Sequence, residues 1–457
     1  MIASDEEKNG PHPVEPVAES ENRNLIPGAS ARVFFAQVRA RTALLYDIAA
    51  VYGIHFANQA LPLITVPYLS RTLGPAGWGL VAMAQSFGMY GNLVVDYGFV
   101  YSATRQIATA SSSQEVESVI AGVSGAKILL SAAAIAAALL AYVFVPLFHE
   151  YPVLLWTAVS SEIVKALLPV YYFYGIQRVA TASLLDISAR ACAAGGIFIF
   201  VRNASDAWKV FALTGITAAV TCIIGHALIR TKYLLRLPHM RDGWDMLRQG
   251  WAMFLFRSAH SVYTLGNAFV LGLFASPKAV GYYAGAEKIS AAAVGLLMPL
   301  TTVLYPRAAA MVKSSLTRAA RITRFTVYVM GVGSVFLGLI LWIGAPLIVR
   351  IILGHNFGES VSVLRVLSVR APLIAWTNVL GFQWLLVLGL ERQFQKITMS
   401  ALILNTLIAI VLAPRFSYNG MAWAVLLSQA AAALGIFIVI QRRHLNPFSG
   451  KLRDANA

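Results

Sequence analysis

The sequence predicts an all-α membrane protein with about twelve transmembrane helices, and three observations carry that prediction. Of 457 residues, 58% are hydrophobic and only 12% are charged, roughly half the charged share of a soluble domain, which is too little to dress a water-facing surface. The apolar residues gather in runs of about 20, the length that crosses ~30 Å of hydrocarbon. The Lys and Arg residues behind the formal charge of +16 fall mostly in the short gaps between those runs, which points to membrane topology rather than to nucleic acid.

Residues 1–42 are polar, rich in Glu, Asn, Pro and Ser. They lack the short apolar core and small-residue cleavage site of a signal peptide and read as a disordered cytoplasmic tail. Spans are then expected near 46–69, 77–100, 119–146, 152–175, 180–201 and 207–229, making an N-terminal lobe over 43–229. The stretch 230–249 is the longest hydrophilic connection after the tail and reads as a cytoplasmic linker between lobes. Six further spans near 250–275, 280–304, 325–352, 360–388, 396–413 and 420–440 make a C-terminal lobe over 250–441, and 442–457 forms a second cytoplasmic tail. With the N-terminus inside, the inner connections (Arg105, Arg230, Arg307, Arg318 and Arg392 among them) hold roughly three times the basic residues of the outer ones (Arg71, Arg202 and Lys278 among them), so both termini are expected in the cytoplasm.

A faint repeat links the lobes. Gly74-Pro75-Ala76-Gly77-Trp78-Gly79 lines up with Ser276-Pro277-Lys278-Ala279-Val280-Gly281 at a constant offset, 277 − 75 = 202 and 281 − 79 = 202, which also carries Arg105 onto Arg307. An even number of spans per half gives both halves the same orientation, so the pseudo-two-fold axis should run along the membrane normal.

Polar residues inside spans are the informative ones, because hydrocarbon forces them onto partners or into a wet cavity. Tyr52, His55, Asn58 and Gln59 recur at helical spacing on one face of the first span. Arg257, His260, Ser261, Thr264 and Asn267 do the same on the seventh, with Arg257 at the 202 offset from His55. Two matching stripes suggest opposite walls of one central cavity. Lys127, Arg257, Arg365 and Arg370 have no acidic neighbour in their helices. By helix rise, Arg257 lies roughly 10 Å in from the cytoplasmic side and Arg370 about 15 Å in from the other. A cationic, wet interior suits an anion too polar to cross unaided, such as a diphosphate bearing sugars, because the Arg fork donates two bonds to phosphate and keeps its charge. A bond to helix carbonyls is the structural alternative for each of these cations.

Glu162 with Lys165, and Asp186 with Arg190, stand three and four apart and read as self-neutralising pairs. Glu287 is the candidate for ion coupling, since a carboxyl withdrawn from water can exchange a proton near neutrality. Asp47 and Asp96 lie near helix ends and read as caps or interlobe contacts. Cys192 and Cys222 read as small core residues, and Tyr171, Tyr172 and Tyr174 as an interfacial aromatic belt. No nucleophile–base spacing, metal motif or phosphate-cradling loop appears, so no catalytic residue, metal or cofactor is expected.

Pro62 to Pro75 (Pro-Leu-Ile-Thr-Val-Pro-Tyr-Leu-Ser-Arg-Thr-Leu-Gly-Pro) followed by Gly79 resembles the first-span signature of the Wzx-type polysaccharide and O-antigen flippases. Asp96-Tyr97-Gly98-Phe99, Ser102 to Arg105, Val280 to Ile289 and Leu304-Tyr305-Pro306-Arg307 are similar to that family's recurring patterns. The resemblance spans most of 45–440. It implies the fold of the multidrug, oligosaccharidyl-lipid and polysaccharide exporter superfamily: two six-helix bundles in a V-shaped arrangement, with the first, second, seventh and eighth helices lining a cavity that opens alternately to each side. It implies as cargo an undecaprenyl-diphosphate-linked oligosaccharide crossing the bacterial inner membrane for O-antigen, capsule or exopolysaccharide synthesis. The lipid bilayer, a polysaccharide polymerase and glycosyltransferases are the implied partners, and nucleic acid is not. The polar tail departs from the family's core pattern. A drug or metabolite exporter of the same superfamily is the rival transport reading, one that favours a less cationic cavity. A membrane oligosaccharide polymerase is the rival enzyme reading, at odds with the short loops, and a scaffold for glycosyltransferases is the rival structural one.

Overall fold

The computed structural model describes residues 64–233, 240–312 and 315–449, without the side chains of several residues between 240 and 307, Arg257 and His260 among them. The chain divides into a unit of residues 1–49 and a unit of residues 50–457. The expected N-terminal tail and most of the first span therefore lie outside the described residues.

The described residues are helical throughout, without strands. Helix α1 covers 64–96 and is turned at Gly74, whose φ of 67° is open to glycine at little cost; Pro75 starts the second limb with its fixed φ. A second left-handed pair, Tyr97 at φ 48° and Gly98 at φ 81°, separates α1 from α2 (Phe99–Thr109). There follow α3 (Ser113–Phe144), α4 (Pro146–Glu150), α5 (Pro152–Leu167), α6 (Val170–Gly175), α7 (Val179–Phe200) and α8 (Ala207–Arg230). The second half holds α9 (Met240–Leu265), α10 (Asn267–Gly272), α11 (Pro277–Gly295), α12 (Met298–Val312), α13 (Leu316–Ile352), α14 (Ser360–Ser368) and α15 (Arg370–Trp376). A π-helix at Thr377–Leu385 continues α15, and α16 (Glu391–Arg442) is broken at Ser417, where φ is 51°. Among the described residues, seven helical stretches are long and apolar enough to cross a membrane: 113–144, 152–175, 179–200, 204–230, 316–352, 360–385 and 391–442. The break in α16 turns the last of these into the two spans expected near 396–413 and 420–440.

Starts are set by local chemistry. The Ser112 hydroxyl caps α3 by accepting the Glu115 N–H at 3.2 Å, and the Glu115 carboxylate accepts the Ser111 N–H at 2.7 Å. Ser276 caps α11 in the same way, with Pro277 in the first turn. Packing then joins α5, α7 and α8 with α3 in the first half, and α11, α13, α14, α15 and α16 in the second. Outward faces are apolar: Phe144 is 76% exposed and Val332 70%. Charged and amide side chains such as Lys127, Glu162, Asn267, Gln383 and Asn405 are buried. That is the distribution expected when lipid is the solvent.

The repeat read from the sequence has a structural counterpart. Both copies place a proline in the first turn of a helix, and α1 and α11 cross there, Gly79 against the Pro277 carbonyl and Gly281 against the Pro75 carbonyl. Met240–Gln249, expected within the linker, is the first part of α9; Gly243 seats it on Gly125 and Ala126 of α3. Two local expectations are corrected. Tyr171 and Tyr172 are 2% and 1% exposed, core residues among α2 and α3 rather than a belt, while Tyr174 is exposed. Cys192 is exposed on α7 and Cys222 is partly buried, so neither is a packed core thiol.

Candidate functional site

The second half contains a directed chain of buried polar groups. Asn267 opens α10 immediately after the break at Gly266 and is buried. Its amide donates to Glu287 Oε1 of α11 at 3.5 Å, and the Tyr283 hydroxyl, one turn earlier on α11, donates to the same oxygen at 3.1 Å. The Asn267 carbonyl oxygen accepts the Asn405 amide at 3.0 Å, and the Asn405 carbonyl oxygen accepts the Ser428 hydroxyl at 3.3 Å. Asn405 and Ser428 stand on opposite limbs of α16. The dipoles therefore run from Ser428 through two amides to one half-buried carboxylate, tying α10, α11 and both limbs of α16 together. Glu287 thus accepts from two elements through a single oxygen.

The first half holds its charges differently. Glu162 is buried and takes Lys165 Nζ at 2.7 Å, while Asn92 of α1 donates to the Glu162 backbone carbonyl at 3.0 Å. Lys127, 3% exposed, donates to the Ala166 carbonyl and lies 5.2 Å from the Tyr171 ring centre. Pro169, just after α5, explains that carbonyl: the Val170 N–H turns to Leu168 instead of Ala166, leaving the Ala166 oxygen for the lysine. Asp186 and Arg190 pair at 2.8 Å along α7.

The structure brings Asn267 and Glu287 into one network. His55, Asn58 and Gln59 lie outside the described residues, and the Arg257 and His260 side chains are not described, although α9 carries both positions. Arg370 starts α15 with a buried Nε that has no partner among the described residues. Arg365 lies over the Trp342 ring at 5.5 Å, exposed. Sequence reasoning missed Tyr283, Asn405 and Ser428. The signal for Asn405 and Ser428 was an adjacent polar pair in each of two apolar runs, Asn405-Thr406 within Ala401 to Ile410 and Ser428-Gln429 within Ala424 to Ala433. A second missed group lies at the π-helix, where Gln383 donates to Thr326 at 3.3 Å and Gln429 to Thr377 at 2.9 Å.

Among the described residues, no cluster of three or more His, Cys, Asp or Glu could hold a metal. The arrangement offers binding, charge and proton exchange, but no nucleophile poised against a base.

Comparison with known proteins follows the geometry. Residues 44–312 match the family model described as polysaccharide biosynthesis protein. A curated relative from Escherichia coli (strain K12), named "Putative O-antigen transporter", is 29% identical over 405 residues, 87% of this chain and 96% of the relative. One of the same name from Shigella dysenteriae is 26% identical over 397 residues, 85% and 98% of the two chains. Among solved structures, the lipid II flippase MurJ in an inward closed conformation is similar at a TM-score of 0.67 and 15% identity, over 86% of this chain and 87% of that one. An inward-facing multidrug resistance MATE transporter of the MOP superfamily is similar at 0.61 and 13%, over 86% and 96%. At such identities the two structures speak to the fold alone, which this chain shares with them.

Proposed function

The chain belongs to the polysaccharide biosynthesis protein family, and we propose that it is a flippase moving lipid-linked oligosaccharide units across the bacterial inner membrane by alternating access. The observation that carries the reading is the nearly end-to-end match to two relatives named as O-antigen transporters. The cargo is an undecaprenyl-diphosphate-linked repeat unit, whose charged diphosphate and sugars need a polar path while its tail stays in lipid. Lobes over 43–229 and 250–441 rock about the path, with both termini in the cytoplasm as the basic inner connections favour.

In this reading His55, Asn58, Gln59, Arg257, His260, Asn267 and Arg370 line the path, and the arginines hold the diphosphate. Glu287 couples the cycle to an ion. What supports that choice is its place at the end of the polar chain that joins α10, α11 and α16. A polymerase and glycosyltransferases are the partners that consume and supply the cargo.

Complementation tests this directly. A strain lacking its own flippase, given defined repeat units and this chain, regains surface polysaccharide if the reading is right. Persistent cytoplasmic accumulation of the lipid-linked unit, with the chain present in the membrane, contradicts it.

A further inference from the structure

We infer that Gly79 and Gly281 form a symmetric seam by which the two repeats shut one end of the transport path, so that any side chain at either position holds that end open. The inference rests on the flippase reading and adds the residues that permit closure. A Cβ built on Gly79 falls 1.8 Å from the Pro277 carbonyl oxygen, and one built on Gly281 falls 1.9 Å from the Pro75 carbonyl oxygen. The two glycines stand 202 apart, as do the two prolines, so this is one contact seen once from each repeat.

The obstacles are backbone atoms in the first turn of each helix and cannot rotate aside as a side chain does. Clearing the Gly79 contact requires about 1.2 Å of separation, the difference between the 1.8 Å found and the 3.0 Å that real Cβ atoms respect. The neighbouring amides follow: the Gly281 nitrogen lies 2.7 Å from the Gly79 Cβ position and the Gly79 nitrogen 3.2 Å from that of Gly281. Both contacts thus lie within one patch of the same two helices, and a wedge at either parts both. Two helix N-termini, each partly positive, meet there and gain no electrostatic attraction from doing so.

A separate contact holds the same end. The Arg71 guanidinium, just before the Gly74 turn, donates to the Ile351 carbonyl in the last turn of α13, in the other half. Gly354, at φ 99°, lets the chain leave α13 beside Arg71 Cγ, which is 3.2 Å from its Cβ position. A close backbone crossing and a charged latch thus join the two halves at this end. By the charge bias of the connections this is the outer end, where the cargo leaves. Gly91, further along α1, carries no such constraint: a Cβ there meets only Ala134 Cβ, at 3.8 Å.

The experiment uses the full chain with Cys192 and Cys222 replaced by alanine, in membranes, with single reporters at Ala82→Cys or Ala284→Cys. These equivalent positions lie one turn deeper than the glycines and are 5% and 2% exposed. A membrane-impermeant maleimide added from outside should label them weakly in the parent and at least about tenfold faster with Gly79→Ala or Gly281→Ala, and transport should fall to a similar degree. Valine at either position should exaggerate both effects, and Gly91→Ala should change neither. Alanine, the smallest step, decides the matter if the valine chains fail to reach the membrane. Parental labelling with either alanine, or lost transport without added labelling, overturns the seam. A parent that moves no lipid-linked oligosaccharide, yet shows the labelling contrast, overturns the flippase reading and leaves the seam standing.

Discussion

The Asn267–Asn405 bond can be weighed by a double-mutant cycle. Both side chains are buried, 5% and 4% exposed, and the bond is 3.0 Å long. Asn405→Leu removes the donor to Asn267 and the acceptor for Ser428, whose hydroxyl keeps the Val425 carbonyl, and Asn267→Leu removes both the acceptor for Asn405 and one of the two donors to the Glu287 carboxylate. Each single change strands a buried amide, at a cost of about 1–3 kcal/mol, whereas the double change strands neither partner of that bond. The coupling should therefore be about 1 kcal/mol, within the ~0.6–1.7 kcal/mol that interhelical bonds in membranes reach. Equilibrium unfolding of the purified protein in mixed micelles measures it. Asn267→Leu should be the worse single variant, because it also weakens the hold on Glu287. Strictly additive effects, or Asn405→Leu as the worse of the two, would refute the chain of bonds as described.

Glu287→Gln should leave the protein folded but flatten the dependence of transport on external pH, with Glu287→Asp retaining part of it; rates in vesicles at several pH values test this. Lys127→Ala should leave the Ala166 carbonyl bare and lower stability by about 1–3 kcal/mol, seen as an earlier thermal transition with transport preserved in the cold. Arg257→Ala and Arg370→Ala should weaken transport more than Arg257→Lys if they grip a diphosphate, since lysine keeps the charge but loses the fork; equal rates in all three would leave them as architecture. Arg71→Ala, which removes the latch onto Ile351, should raise outside labelling of Ala284→Cys by a smaller factor than Gly79→Ala does.

Much of the fold was legible because hydrocarbon imposes a length on every span, and apolar runs such as 152–175 and 360–385 declare themselves. The repeat was legible because Pro75 and Pro277 start helices, and Gly79 and Gly281 follow at a fixed distance. Its meaning was not, since no pattern along the chain says that two glycines rest on each other's prolines. Glu287 stood out as a lone carboxylate in a span. Asn405 and Ser428 did not, because an amide or hydroxyl in an apolar run is tolerated for many reasons and only convergence in space selects among them. Tyr171 and Tyr172 misled because clustered tyrosines at a span end suit an interface, whereas the break at Pro169 turns these two into the core. Met240–Gln249 reads as a hydrophilic connection because Arg241, Asp242, Asp245 and Arg248 crowd the exposed face of its helix.

The central claim is that this chain carries a lipid-linked oligosaccharide from one leaflet to the other. The most direct measurement reconstitutes the purified protein in liposomes with a fluorescent polyprenyl-diphosphate oligosaccharide confined to one leaflet, and follows its exposure to an impermeant quencher. The account predicts transfer above protein-free liposomes, slowed by Gly281→Ala and by Arg257→Ala. Transfer no faster than in empty liposomes, from protein that remains folded, would contradict it.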